Sequence, residues 1–418
     1  MRMVSATHPD RASESRPISD SPCIADHYSD RVCAPEETFA RVARLLPSFG
    51  ISRLARLTGL DSIGIPVWNA VSPNAKSIVI NQGKGITDID AKVSAAMEAL
   101  ERAVACNPSA PTTHATRHAL LEKGERALTL PGLVAAGEAD LDDDEATAWL
   151  RGFDLLDQQA TFVPLQAVLL DRTLERCRYW QSSDGLASGN TESEAVLHGL
   201  LERIERDAET LWRLLSLTAR LRTCIDADLL DDPIINDMTR RIAAAGLTFR
   251  LFDMTSDIGI PCLTAVIADA GILAAKEPRY HDVTVGHGAH PDPRRAAIRA
   301  ITEAAQSRLT YISGARDDVF PETFTRRLPR ETQQLFEAAP GAHNPLASVA
   351  GNGANSLLKH VLEALKHAGI GTVVAVPLLA APLPFSVIKI FVPELENPDG
   401  ARKRRFGARA LSRALEVA

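Results

Sequence analysis

One helix-opening pattern occurs three times in the chain and constrains its fold more than any other feature. Each copy has a glycine or polar turn, a residue suited to cap a helix, and then a helix with an acidic residue. The cap candidate precedes that first acid by 11 positions in every copy: Thr87 and Glu98, Thr191 and Glu202, Asp292 and Glu303. Three positions beyond each acid stands a second carboxylate or amide: Glu101, Glu205 and Gln306. The chain is therefore predicted to repeat a unit of strand, turn and helix.

Each predicted helix presents its two oxygen-bearing side chains on one face, because residues at i and i+3 are neighbours. If the three helices converge, five carboxylates and one amide face a common space. Carboxylates are not desolvated together without a counter-charge, which Mg²⁺ supplies while bridging to phosphates. Arg102, Arg206 and Arg308 follow the acids closely, and Lys84 stands in the glycine turn before the first helix. The pattern predicts one Mg-nucleotide site, with these cations as phosphate contacts.

A simpler interpretation competes with this one. A single helix that reads E-x-x-E-R is typical of a solvated face with salt bridges. Here, however, three copies stand in register, each after a turn and each among Ala, Leu, Ile and Met. That regularity favours a shared site over three unrelated surface helices.

The whole chain has an ordinary globular composition, with 418 residues, 45% hydrophobic residues and a net charge of −7. This balance gives no general attraction to nucleic acid or to anionic membranes, so neither is an expected partner. The apolar run 370–392 is broken by prolines and predicts two buried strands instead of a membrane span. Six scattered cysteines without a C-x-x-C pair predict a reduced, cytoplasmic protein.

The order of predicted elements indicates a mixed α/β fold in which helices pack on sheets. Among the connecting segments, residues 113–121 are predicted as a helix and residues 160–170 as a strand. Residues 1–27 are polar and predict a flexible N-terminal arm, whereas residues 397–418 predict a basic terminal helix or tail.

Other catalytic signatures are missing from the sequence. It has no G-x-x-x-x-G-K-[ST] phosphate loop and no G-x-S-x-G motif. His281, His287 and His290 match no standard zinc spacing and are interpreted as polar loop residues. None of the cysteines is expected to act as a covalent catalyst, because a carboxylate-rich pocket disfavours a thiolate.

Taken together, the motifs resemble the signature set of the YcaO family. The resemblance rests on Ser94 through Arg102, on Asn190 through Arg206, and on Gly288 through Arg308, and extends over residues 28–396. It implies a YcaO domain over that range, with the repeated units arranged around one ATP and Mg²⁺ site. The residues implied to hold Mg²⁺ are Glu98, Glu101, Glu202 and Glu205. Those implied to contact or support the nucleotide are Ser94, Asn190, Glu194, Arg206, Gln306 and Arg308.

The resemblance also implies an activity: an enzyme that uses ATP to activate a backbone amide of a peptide or protein. An external sulfide equivalent would give a thioamide, and a side chain of the substrate would give an azoline. The chain ends without the Pro-rich tail of many cyclodehydratases, and it has Glu394 where many members have glycine. Residues 28–38 are similar to members that act with a TfuA-type partner, so thioamidation is the preferred prediction.

Two other functions stay open at this point, an azoline-forming cyclodehydratase and a nucleotide-binding regulatory or scaffold protein. The expected partners are a peptide or protein substrate, a TfuA-like protein and a sulfur donor. A homodimer is a further candidate assembly.

Overall fold

The computed structural model describes residues 28–341, 351 and 353–417, so the arm predicted for residues 1–27 lies outside the described residues. Its helices are α1 (Pro35–Val42), α2 (Asp88–Cys106), α3 (Arg117–Glu122), α4 (Leu165–Val168), α5 (Glu192–Arg213), α6 (Leu217–Arg222), α7 (Pro233–Ala244), α8 (Pro293–Ser313), α9 (Pro321–Thr325), α10 (Arg330–Gln334), α11 (Ala354–His367) and α12 (Ala408–Val417). No helix in the described ranges combines the length and the apolar character that crossing a membrane requires.

The strands are β1 (Arg53–Arg56), β2 (Val67–Val71), β3 (Ile80–Lys84), β4 (Thr112–Ala115), β5 (Arg126–Ala127), β6 (Thr147–Asp154), β7 (Gln159–Pro164), β8 (Leu186–Gly189), β9 (Cys224–Ile225), β10 (Leu247–Asp253), β11 (Cys262–Asp269), β12 (Val283–Ala289), β13 (Val374–Pro377) and β14 (Ser386–Phe391). They form sheets of three strands (β1-β2-β3), four strands (β12-β11-β10-β9) and seven strands (β5-β7-β6-β13-β14-β8, with β4 beside β6). The predicted mixed α/β class is therefore confirmed.

Each of the three sheets contributes one strand that runs directly into a predicted acidic helix. These pairs are β3 with α2, β8 with α5, and β12 with α8. The predicted caps are present, since Thr87, Thr191 and Asp292 each accept a backbone N–H from the first turn of their helix. Such a cap stabilises a helix by about 1 kcal/mol.

Glycines in these strands let the following helix lie flush against its strand. A Cβ on Gly83 would lie 2.0 Å from the backbone nitrogen of Ala95, and a Cβ on Gly288 would lie 2.1 Å from the carbonyl oxygen of Ala296. Both distances are shorter than any van der Waals contact, so only glycine fits. The alanines complete the contact because they add little bulk to the facing side of the helix.

The three units also close into a ring. Besides its own strand, α2 contacts β8, α5 contacts β12, and α8 contacts β3. Each helix thus lies between its own strand and a strand of another unit, in a cyclic order. This arrangement turns one side of every helix toward a common interior.

The opposite side of each helix is held by the hydrophobic core. On α5, Leu200 and Ile204 are fully buried, and each stabilises the fold by about 1.5–3 kcal/mol through burial. On α8, Ile301 and Leu309 are buried in the same way. This packing fixes the rotation of the helices and hence the direction of their acidic faces.

Some connecting segments differ from the sequence-based predictions. The helix predicted for residues 113–121 begins as strand β4, which pairs antiparallel with β6, and only Arg117–Glu122 is helical. Its threonines suit a strand, and pairing with a neighbouring strand decides the outcome. The strand predicted for 160–170 ends at Pro164, where α4 begins. Within the predicted basic tail, Ala408–Val417 forms α12, and Arg409 of this helix lies 2.9 Å from Asp207.

Candidate functional site

The carboxylates of α2 and α5 lie against each other in the interior of the ring. Glu101 is buried, and burial together with the carboxylates of Glu98 and Glu202 raises its pKa well above the usual range. Glu98 belongs to the same helix, whereas Glu202 belongs to α5. The two helices therefore bring their acidic faces to one place. Arg102 balances part of this charge by donating to Glu98 at 3.1 Å.

Glu202 is the second strongly perturbed carboxylate. Burial raises its pKa, the cation of Arg206 opposes that rise, and the carboxylates of Asp184 and Glu205 add to it, so the pKa is about 7. The backbone N–H of Gly185 donates to Glu202 at 3.2 Å. A carboxylate in this position gains from any cation that enters the space beside it.

The third helix contributes a carboxylate that is already paired. Lys84, at the end of β3, forms an ion pair with Glu303 of α8. Burial alone would raise the pKa of Glu303, but Lys84, Arg206 and His287 lower it to about 2. Gln306 donates to a backbone carbonyl of β3 at 2.7 Å. The predicted face of α8 is thus turned toward α5 and β3.

Arg206 is the cation between these acidic groups. Its guanidinium nitrogens lie 3.4 Å from Glu209, 3.6 Å from Glu205 and 3.8 Å from Asp184. Burial would lower its pKa, but Glu205, Glu303 and Glu209 keep it well above the usual range. Arg206 therefore stays charged, and with Lys84 it provides positive charge beside the carboxylate cluster.

Asn190 and Glu194, two of the residues predicted to contact the nucleotide, lie together at the N-terminal end of α5. Glu194 accepts hydrogen bonds from the backbone N–H of Val32 at 2.7 Å and of Asn190 at 2.9 Å, and it pairs with Arg31 at 3.1 Å. Thr38 donates to the side-chain oxygen of Asn190 at 2.9 Å. Glu194 is eight residues before Glu202, roughly 12 Å along the same helix face. A ligand that reaches both ends must be elongated.

The remaining predicted residues occupy different positions relative to the cluster. Ser94 is partly buried on α2, one turn before Glu98 and on the same face. Arg308 lies apart, because five residues along a helix rotate it roughly 140° away from Glu303. Its Nε lies 3.8 Å from Asp61, on another side of α8. The acidic residues of α2 and α5 thus lie near Arg206, Asn190 and Glu194 lie further along α5, and Arg308 lies on a different face of α8 from Glu303.

The donor set fits a hard divalent cation. Among the described residues, no three acidic or histidine side chains already surround one metal position. The carboxylates are nevertheless neighbours, and the raised pKa of Glu101 and Glu202 shows that they lack sufficient counter-charge. A buried oxygen of Asp184 has no hydrogen-bond partner in the described structure. Oxygen donors with unbalanced negative charge are the ligands that Mg²⁺ prefers.

The interpretation of His287 as a polar loop residue was wrong, whereas His290 does lie in the loop after β12. His287 lies within β12, where its side chain is 12% exposed and its Nε2 is 3.4 Å from Glu209. His290 is buried and lies 3.0 Å from Asp30. Glu209 was also missed, although it stands four residues after Glu205 and extends the acidic face of α5 by one turn.

The fold is a ring of repeated strand and helix units, and its cluster of carboxylates beside Arg206 and Lys84 has groups suited to a metal ion and an anionic ligand. Comparison with known proteins gives the family. The family described as YcaO cyclodehydratase, ATP- and Mg²⁺-binding, matches residues 82–396. The chain belongs to the YcaO family, as its motifs predict. ATP and Mg²⁺, the cofactors expected from the sequence, are those in the family description.

Individual relatives agree with this assignment. An uncharacterized protein in the tfuA 3' region of Rhizobium leguminosarum bv. trifolii is 41% identical, over 92% of this chain and 93% of the relative. YcaO from Methanopyrus kandleri, solved with AMPPCP and Mg²⁺, has a similar fold with a TM-score of 0.68 and 23% identity, covering 90% of this chain and 97% of that one. A heterocyclase solved with substrate and cofactor has a TM-score of 0.73 and 20% identity, covering 93% of this chain and 56% of that one.

Proposed function

We propose that this protein uses Mg²⁺ and ATP to activate a backbone amide of a peptide or protein, and that the product is a thioamide. The observation that carries the proposal is the convergence of the acidic faces of α2, α5 and α8 around Arg206 and Lys84. Membership of the YcaO family supports the use of ATP. The relative from the tfuA 3' region supports thioamide formation.

We assign the residues as follows. Glu98, Glu101, Glu202 and Glu205 would hold Mg²⁺, because they are neighbouring carboxylates and the burial of Glu101 and Glu202 among them favours a cation. Bound Mg²⁺ would neutralise the phosphates and the carboxylates at once. Lys84 and Arg206 contact the phosphates, and Ser94, Asn190 and Glu194 contact the rest of the nucleotide. Gln306 supports the site through β3, and Arg308 supports α8 from its far side through Asp61.

The reaction needs little covalent chemistry from the protein. A sulfide equivalent adds to the amide carbon, and the amide oxygen takes the terminal phosphoryl group of ATP. Phosphate then leaves with that oxygen, a proton is lost, and the carbon keeps the sulfur as a thioamide. The cationic side chains of Lys84 and Arg206 position the phosphates and stabilise the negative charge that develops on the phosphate oxygens. The sulfur comes from a donor that a TfuA-like partner delivers.

A second candidate is azoline formation, which the family description as a cyclodehydratase favours. Here a Cys, Ser or Thr side chain of the substrate replaces the external sulfide. The two products differ in mass, because a thioamide exchanges oxygen for sulfur whereas an azoline loses one water.

The proposal is tested by incubating the protein with ATP, Mg²⁺, a sulfide source, a TfuA-like protein and candidate substrate peptides. Phosphate release that depends on the peptide, together with the mass gain of a thioamide, is the expected result. Loss of water would support azoline formation instead. Binding of ATP without turnover of any peptide would indicate a regulatory protein. Glu202→Gln should abolish turnover, whereas the control Glu192→Gln, an exposed residue on the same helix, should not.

A further inference from the structure

His287 connects two of the repeated units. It lies on β12 between Gly286 and Gly288, and a Cβ on either glycine would meet the backbone of α8 at 2.1 Å. Because successive side chains of a strand point to opposite faces, His287 faces away from α8 and toward α5. There its Nε2 lies 3.4 Å from an oxygen of Glu209.

Glu209 contacts both His287 and Arg206. One carboxylate oxygen of Glu209 faces His287, and the other lies 3.4 Å from Nη1 of Arg206. Arg213 approaches the first oxygen at 3.6 Å from the C-terminal end of α5. The backbone N–H of His287 also donates to Glu303 at 3.3 Å. His287 therefore contacts two carboxylates, Glu209 and Glu303, whose charges both act on Arg206.

The pair of His287 and Glu209 is largely shielded from solvent. The side chains of His287 and Glu209 are 12% and 15% exposed, so little water competes for their charges. Burial would lower the pKa of His287, but Glu209 raises it overall, and the same contact keeps the pKa of Glu209 well below its usual range. Arg206, by contrast, has no ion-pair contact shorter than 3.4 Å among the described residues.

We propose that His287 is a positioning residue: by fixing Glu209, it sets the direction in which Arg206 presents its guanidinium to the phosphates. The inference rests on the proposed function, since it assumes that Arg206 contacts ATP. His287 itself touches neither the nucleotide nor the substrate. Its contribution passes through Glu209, so removing either residue should have the same effect as removing both.

A protonated His287 binds Glu209 more strongly than a neutral one, which gives a dependence on pH. The charged groups that face His287 are Glu209 and Arg206 from α5 and Glu303 from α8. ATP affinity should therefore weaken as the pH rises through the raised pKa of His287. In His287→Gln, which keeps a neutral donor, this part of the pH dependence should disappear.

The test is a double-mutant cycle on the affinity for Mg·ATP, measured by calorimetry on the full chain. His287→Phe and Glu209→Gln should each weaken binding about tenfold, as for the loss of one charge-assisted hydrogen bond, and the double variant should be no weaker. The matched control is His281→Phe, which removes another histidine that lies 3.4 Å from a carboxylate, that of Asp282. It should bind like the wild type.

The outcomes separate this inference from the proposed function. The positioning role is wrong if the affinity losses of His287→Phe and Glu209→Gln multiply in the double variant, or if His287→Phe binds ATP normally. The ATP site would stand in either case. If His287→Phe does not fold, His287→Gln still decides, because an unchanged pH dependence would overturn the role. If the wild type binds no Mg·ATP, both proposals fail.

Discussion

Replacing Glu202 by glutamine should stabilise the metal-free protein while removing its affinity for Mg·ATP. The raised pKa means that the folded state resists ionisation of this carboxyl group. A rise from 4.5 to about 7 corresponds to at most about 3 kcal/mol of stability lost above pH 7. The sign follows from proton binding: between pH 4.5 and about 7 the folded state holds a proton that the unfolded state releases, so stability falls as the pH rises. Glutamine cannot ionise and does not incur this loss.

The assay is denaturant unfolding of wild type and Glu202→Gln in EDTA, at pH 4 and at pH 8. The variant should be more stable at pH 8, by up to about 3 kcal/mol, and close to the wild type at pH 4. The control Glu192→Gln should show no such gain, because Glu192 is exposed in the first turn of the same helix. A Glu202→Gln protein that is less stable than the wild type at pH 8 would refute the argument that the cluster is short of counter-charge.

Two further predictions concern the frame of the site. Gly288→Ala should cost at least about 3 kcal/mol of stability, because the added Cβ would lie 2.1 Å from a backbone oxygen of α8. Gly271→Ala is the control in the same unfolding assay and should cost little, because its Cβ would meet open space. Asp30→Asn should loosen residues 28–33, measured by hydrogen exchange, because Asp30 lies 3.0 Å from His290 and 2.5 Å from Arg295. These partners lower the pKa of Asp30 despite its burial. The difference in hydrogen exchange between variant and wild type should therefore be complete well above pH 3.8 and should vanish as the pH falls below that value. Equal exchange of the two proteins at neutral pH would contradict this prediction.

The repeated pattern made the core of the site predictable. The caps Thr87, Thr191 and Asp292 and the acidic positions beyond them follow from local rules of helix geometry, which do not depend on the rest of the fold. The position of Arg308 on a different face of α8 from Glu303 could also have been predicted, because the two residues are five positions apart.

The contacts between units could not be read from the sequence. Lys84 reaches Glu303 and His287 reaches Glu209 only because the ring places the strand of one unit beside the helix of another. Sequence spacing within a unit carries no information on that closure. For the same reason His287, in a glycine-rich stretch, resembled a loop residue until the pairing of β12 with β11 was known.

The central claim, that separate helices build one Mg·ATP site, is tested most directly by a crystal structure with Mn²⁺ in place of Mg²⁺ and a non-hydrolysable ATP analogue. Anomalous scattering then locates each metal ion. We predict metal bound by carboxylates of both α2 and α5, with Arg206 and Lys84 at the phosphates. Metal held by one helix alone, or a nucleotide bound outside the ring, would contradict it.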